Sequence, residues 1–237
     1  MFAGLPVGCP AAGGGRRIVA VGEGLSLIGD DGSTMRLAHV EFVRRKTGGR
    51  WLPVDGRLRD WIARRVIGLA AGSGGSFDRG GRLLVDPLLA SGRSIALELV
   101  EAGHAVFRPD LGTAPDPRRM LDAEERARRA SMGVWAGGMA GPVDQGSASR
   151  LVGYYGLVTG RILHSAEARY YLYVNFGDRW SEDFTLRVPK DDINPLRRAG
   201  LDLMLLEGQT VRVRGWVFEE NGPMIEIRHR HAVEVLG

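Results

Sequence analysis

The chain has 237 residues, enough for one large domain or two small ones with modest cores. Its 32 Lys and Arg against 28 Asp and Glu leave a net charge of +4, and no apolar run is long enough to cross a bilayer as a helix. The single cysteine, Cys9, excludes an internal disulfide framework and a cysteine-rich zinc site.

The excess basic charge lies in the first part, with 20 Lys and Arg against 16 Asp and Glu over residues 1–149, and 12 against 12 over 150–237. Such a surplus draws polyanions only mildly. Lys46 and Lys190 are the only lysines, so the arginine content reflects composition as well as any phosphate binding.

In chain order, the Gly-rich start MFAGLPVGCPAAGGG lacks the basic segment and apolar core of a secretory signal. It reads as a disordered tail over residues 1–16. A signal peptide further upstream would make the protein exported or envelope-associated, with Cys9 in a lipoprotein-like cleavage region. Alternating apolar residues from Ile18 to Leu27, the turn signal Asp30-Asp31-Gly32 and strand formers from Thr34 to Val43 predict a β-hairpin. Leu58, Trp61, Ile62 and Arg65 fall near helical spacing in Gly56 to Val66, predicting an amphipathic helix with Arg57, Arg59 and Arg64 toward solvent.

After the flexible run Gly72 to Gly75, Arg82 to Ala90 predicts a buried strand, with Pro87 at an edge or bulge. Ser94 suits the N-cap of a helix that Gly103 ends. A second helix over RRMLDAEERARRASMGVW stops at Gly133, with Asp122, Glu124 and Glu125 read as surface ion-pair partners. Residues 137–149, GGMAGPVDQGSAS, have the composition of a linker.

Five strands follow, over Leu151 to Leu163, Arg169 to Phe176, Asp183 to Pro189, Thr210 to Phe218 and Met224 to Val235. A helix from Asp191 to Ala199 lies between the third and fourth. This order matches an OB-fold, a small Greek-key barrel that often binds oligonucleotides or oligosaccharides. Aromatic residues on these strands, among them Tyr171, Tyr173 and Trp180, read mainly as core, but some could form a stacking platform beside Arg187, Arg212 and Arg214. His229 and His231 share a face if their segment is a strand, a spacing that reads as a polar surface before a metal site. No nucleophile elbow, Walker loop or dinucleotide fingerprint is present.

Four segments together carry a family resemblance: DGSTMRLAHVE at Asp31 to Glu41, DRGGRLL at Asp78 to Leu84, SGRSIALELVEAGHAVF at Ser91 to Phe107 and AEERARRASMGVWA at Ala123 to Ala136. Over roughly Ile18 to Ala136 the chain resembles the staphylococcal-nuclease-like, or thermonuclease, family. Residues 150–237 look like a domain found beside such domains in some bacterial proteins. The resemblance implies a mainly β protein: a nuclease-like OB barrel with packed helices over 17–136, a linker at 137–149, and a second, smaller OB-like barrel over 150–237.

The resemblance also assigns roles. Arg36 and Arg82 match the two family arginines that stabilise a phosphorane. Glu41 stands at a metal-binding acid, Leu25 replaces the other, Glu23 is the nearest substitute ligand, and Arg44 occupies the position of the general base. Leucine cannot ligate calcium, and a guanidinium stays protonated. The leading expectation is therefore binding of nucleic acid or a protein partner without cleavage, through Tyr171, Tyr173, Trp180, Arg212 and Arg214, with no cofactor. The alternative is a divergent calcium-dependent nuclease using Arg36, Arg82, Glu41 and Glu23. A third reading is an envelope protein with a protein or glycan partner. Oligomeric state is not legible.

Overall fold

The computed structural model describes residues 16–43, 46–47, 50–51, 56–71, 76–112, 114–138, 140–179 and 182–236. The tail with Cys9, the Gly72 to Gly75 run, Arg44 and Trp180 lie outside them. The elements in order are β1 (Ile18–Val21), β2 (Leu27–Gly29), β3 (Thr34–Leu37), β4 (Val40–Glu41), β5 (Lys46–Thr47), β6 (Arg50–Trp51), α1 (Gly56–Val66), β7 (Leu83–Val85), α2 (Ile95–Glu101), β8 (Val106–Phe107), α3 (Pro117–Arg129), β9 (Val143–Asp144), β10 (Tyr155–Arg161), β11 (His164–Glu167), β12 (Tyr171–Asn175), β13 (Thr185–Pro189), α4 (Lys190–Arg198), β14 (Thr210–Glu219), β15 (Pro223–Glu226) and β16 (Val233–Val235). Among the described residues the fold is sheet-rich and mixed, with several sheets, none closed into a barrel. No helix among the described residues is long and apolar enough to cross a membrane.

The chain divides into two compact units, one of Met1–Leu37 and Val54–Ile95, the other of Ala38–Pro53 and Ala96–Gly237. In the first, the sheet runs β1-β2-β3-β7, antiparallel except for the parallel β3–β7 pair. Its buried residues include Ile18, Leu27, Met35, Leu37, Leu83 and Val85, and α1 packs on β1 with Ile62 and Val66 buried. Helix α1 spans the residues its apolar spacing predicts. The expected hairpin is interrupted twice. Gly24 and Leu25 take left-handed conformations, φ 64° and 63°, within a 3-10 turn, and His39 at φ 63° ends the second strand early. The strand expected from Arg82 to Ala90 shortens to β7.

In the second unit the sheet order is β11-β12-β13-β15-β14-β10-β9, with β16 also on β14. The β13–β15 pair is parallel, and β10 and β11 are consecutive, separated by Ile162 and Leu163. Alternation buries Leu172, Val174, Leu186, Val188, Val211, Val213 and Val217 in one core and leaves Tyr171, Tyr173 and Arg187 on the other face. Strand β11, with the polar sequence HSAE, has little apolar content to announce it, and it pairs with β12 in register.

The stretch with linker composition is built into this unit. Val143 and Asp144 pair in parallel with β10, the Asp144 carboxylate caps the 3-10 turn Gln145–Leu151 through the Gly146 N–H, and Ala148 is fully buried. Helix α3, which the resemblance places in the 17–136 domain, also belongs to this unit. Asp116 caps it by accepting from the Arg119 N–H at 3.0 Å. It ends at Arg129, short of the Gly133 at which its sequence predicts the stop, and Ser131 at φ 51° turns the chain out of it; Gly133, at φ 54°, lies against the backbone of Gly103, itself at φ 67°. A side chain at either position would strike the other's segment.

Candidate functional site

In the first unit, the parallel register sets Arg36 opposite Leu84, so Arg36 and Arg82, two residues before Leu84, face the same way. Both point to Asp78. The Arg82 Nε donates to Asp78 Oδ2 at 2.8 Å, and its Nη2 lies 2.6 Å away, while Arg36 Nη1 is at 3.8 Å. The other Asp78 oxygen accepts from the Gly80 and Arg82 backbone N–H groups, each at 2.9 Å, closing the DRGGR turn. Burial works to raise the Asp78 pKa, but the Arg82 N–H, the Arg82 guanidinium and the Gly80 N–H outweigh it and hold the group below its usual 3.8. The two family-matched arginines thus converge on a carboxylate of their own chain. Asp78 was visible only as part of the DRGGR signature.

The residues assigned to calcium do not fit it. Leu25 is buried at 3% exposure, turned inward by the left-handed pair, while Glu23 stays on the surface; the two do not share a face as they would in a regular strand. In the second unit, Glu41 accepts from Arg108 Nη1 at 2.7 Å, both side chains being nearly buried, and Arg108 also chelates Asp110 at 3.1 Å. Burial alone would lower the Arg108 pKa, but Asp110 and Glu41 raise it above its ordinary value. Glu41 is thus held by an arginine. Among the described residues, no group of three or more His, Cys, Asp or Glu side chains gathers as a metal site requires.

The predicted ligand residues of the second unit separate into two settings. Tyr171 and Tyr173 lie half-exposed on β12, with rings 5.8 Å apart. Arg187 stands opposite Tyr173 on β13, and its guanidinium lies 4.8 Å from the Tyr171 ring and 4.6 Å from that of Phe218. Glu226 and Glu220 hold it there at 2.8 and 2.6 Å. Burial opposes the charge on Arg187, but these carboxylates raise its pKa. Next along the chain, Tyr170 is 62% exposed with Arg169 5.0 Å from its ring. Phe218 escaped the sequence reading because it closes the predicted fourth strand, and nothing in one sequence marks which strand it faces.

Arg212 and Arg214 do not join these tyrosines. Arg214 is a buried ion-pair residue at 2% exposure, so it cannot meet a surface ligand. It donates to Glu124 of α3 at 3.0 Å, to Glu234 of β16 at 2.6 Å and to the Phe107 carbonyl at 3.1 Å. Glu124 also accepts from the Phe107 N–H at 2.6 Å, and Tyr155 donates to the Phe107 carbonyl at 3.3 Å. Arg212 reaches Glu125 at 3.3 Å and Glu234 at 3.6 Å. Glu124 is therefore no surface partner: burial pushes its pKa up, against Arg214 and the Phe107 N–H. Glu125 does pair on the helix, with Arg128 and Arg129.

His229 and His231 lie at a 3-10 turn, Arg230–Ala232, and not on a strand. The main chain leaves the sheet after Glu226 and re-enters it at Val233, so strand alternation does not apply to them. No family model matches the chain, and no curated protein is detectably similar to it.

Proposed function

We propose that the chain is a catalytically degenerate thermonuclease-like protein that binds single-stranded nucleic acid without cleaving it, through the Tyr171, Tyr173, Arg187 and Phe218 face of the second unit. The observation that carries the reading is the half-exposed tyrosine pair with a stacked arginine on an open sheet face. Aromatic rings flanked by guanidinium groups hold bases by stacking and the strand by charge. The strand order, with the consecutive β10 and β11 toward opposite ends of the sheet and β13 parallel to β15, supports an OB-type arrangement for this sheet. On such a frame the second and third strands, here β12 and β13, form the binding face.

Loss of cleavage is supported from the other unit and from Glu41. A phosphodiesterase of this type needs acids free to hold a metal and orient water. Leu25 is aliphatic and buried, and Glu41 is engaged by Arg108. Arg36 and Arg82, which would stabilise a transition state, sit against Asp78.

Fluorescence anisotropy with labelled single-stranded DNA and RNA, over a salt series, tests the binding. Affinity should fall steeply as salt rises. Tyr171→Ala with Tyr173→Ala should weaken it by about 1–3 kcal/mol per stacked base. No binding to either nucleic acid at low salt would leave a protein partner as the better reading. A parallel cleavage assay should show no product with or without calcium. Calcium-dependent product that disappears in Arg82→Ala would instead establish the divergent nuclease.

A further inference from the structure

We propose that His229 and His231 form an acid-opened latch on β16: at neutral pH they hold β16 against β14, and protonation of the pair releases it, withdrawing Glu234 from Arg212 and Arg214. Every residue involved belongs to the second unit, and the inference does not depend on nucleic-acid binding.

The latch is built from the turn that joins β15 to β16. The Nδ1 of His229 accepts a hydrogen bond from the His231 backbone N–H at 3.2 Å, capping the 3-10 turn Arg230–Ala232. That bond requires an unprotonated Nδ1, which places the proton of the neutral ring on Nε2. Protonation turns the acceptor into a donor facing another donor, and the cap is lost. The two rings also lie 5.6 Å apart, so charging both sets like charges side by side.

The surroundings oppose that charge. Arg230 on the same turn, Arg118 from α3 and Arg214 from β14 all act on His231, in addition to His229 itself. Arg230 also acts on His229, and the opposing group is Asp110 in the loop after β8. Glu234 of β16 is committed to Arg214 and Arg212. Burial first, and then these cations, hold both imidazoles below their ordinary 6.5.

A base whose pKa is lowered by folding stabilises the closed state above its unfolded value. That contribution is lost as pH falls from 6.5 toward the folded value, because the open state then binds more protons. The element to be released is short. Strand β16 pairs with β14 only at Val211–Val235, Arg212–Glu234 and Val213–Val233, and behind it Leu236 adds one bond to the Thr210 carbonyl at 2.8 Å. A short element held by few bonds opens at lower free energy than a sheet interior. The charge of Glu234 is what β16 brings to the buried arginines, so opening the strand also changes the balance around Arg212 and Arg214.

Hydrogen–deuterium exchange on the full chain, corrected for the intrinsic pH dependence of exchange, reads the latch directly. Peptides covering residues 228–236 should lose protection several-fold between pH 7.5 and 5.5, the direction set by imidazoles whose charging is opposed in the closed state. Peptides from β12 and β13 should not. His229→Asn preserves a cap acceptor without a titrating ring. Combined with His231→Gln it should leave protection of residues 228–236 equal at the two pH values. His231→Gln alone, which leaves the cap intact, should reduce the step. Unchanged protection in the wild type, an undiminished step in the variants, or an equal loss in β12 and β13 would overturn the proposal.

Discussion

Two arginine–carboxylate clusters, one in each unit, use the same chemistry at different depths. In the first unit, Arg82 and Arg36 meet an Asp78 carboxylate that is itself 6% exposed, with the arginine side chains 37% and 23% exposed. In the second, Arg214 meets Glu124 and Glu234 with its own side chain at 1% exposure. Water reaches the arginines of the first cluster. It does not reach Arg214 and Glu124 in the second, where each charge depends on its partner to offset desolvation. The contrast separates a cluster whose arginines meet solvent from one that fastens α3 and β16 to β14.

The largest expected effect follows from that depth. Arg214→Met leaves the Glu124 carboxylate buried with only the Phe107 N–H as a donor, and should cost about 3–5 kcal/mol in urea or thermal unfolding. Adding Glu124→Gln should restore part of the loss, since the amide oxygen can still accept from Phe107 and no charge remains. A loss below about 1 kcal/mol for Arg214→Met would mean that the pair is solvated, against its burial.

Glu41 is intermediate. Glu41→Gln removes one of two carboxylates from Arg108, and Asp110 remains. The expected cost is about 1.5 kcal/mol, that of one charge-assisted hydrogen bond. Wild type and variant alike are expected to melt at the same temperature with and without calcium. A calcium-dependent rise in melting temperature in the wild type that vanishes in this variant would reverse the assignment of Glu41 to a structural pair.

Asp78→Asn tests the exposed cluster. The amide keeps an oxygen for the Gly80 and Arg82 N–H groups and removes the negative charge from two arginines. A stability loss of about 1 kcal/mol or less is expected, because Arg82 is partly exposed and screened. Low-salt affinity for oligonucleotides should hold or rise, and a fall would show that Asp78 organises a binding site and does not occupy one. The wild-type contribution should be present above pH 3.8 and disappear as pH falls below it, the direction set by a carboxylate whose pKa folding lowers.

How much of this was legible in the sequence follows from the range of each interaction. Helix α1 and the stop at Gly103 are local consequences of spacing and backbone freedom, and they appear where the sequence places them, whereas α3 stops at Arg129, ahead of the expected Gly133. The left-handed turn at Gly24 and Leu25 reverses a strand-based reading of Glu23, because alternation holds only while the backbone stays extended. Residues 143–151 have linker composition yet form a strand and a capped turn, since composition carries no information about the edge of β10 that receives them. The role of Arg214 was least legible. Its partners are 90 and 20 residues away, and an arginine alternating with valines on a strand looks the same whether its outer face meets solvent or a helix.

The smallest effect lies on a single carboxylate that touches both kinds of environment. Glu125 pairs with Arg129, whose side chain is 78% exposed, and with Arg212, whose side chain is 13% exposed. Arg129→Ala removes a solvated i to i+4 partner while Arg128 and Arg212 remain, so the expected change is about 0–0.5 kcal/mol and should vanish in high salt. Arg212→Ala removes the partner that joins Glu125 to β14 and also reaches Glu234 at 3.6 Å, and should cost more and resist salt. Melting curves of the two variants at low and high salt compare depth alone, with the acceptor held constant. Equal losses with equal salt sensitivity would show that burial does not set the energy of these pairs, and would weaken the distinction between the Asp78 and Arg214 clusters as well.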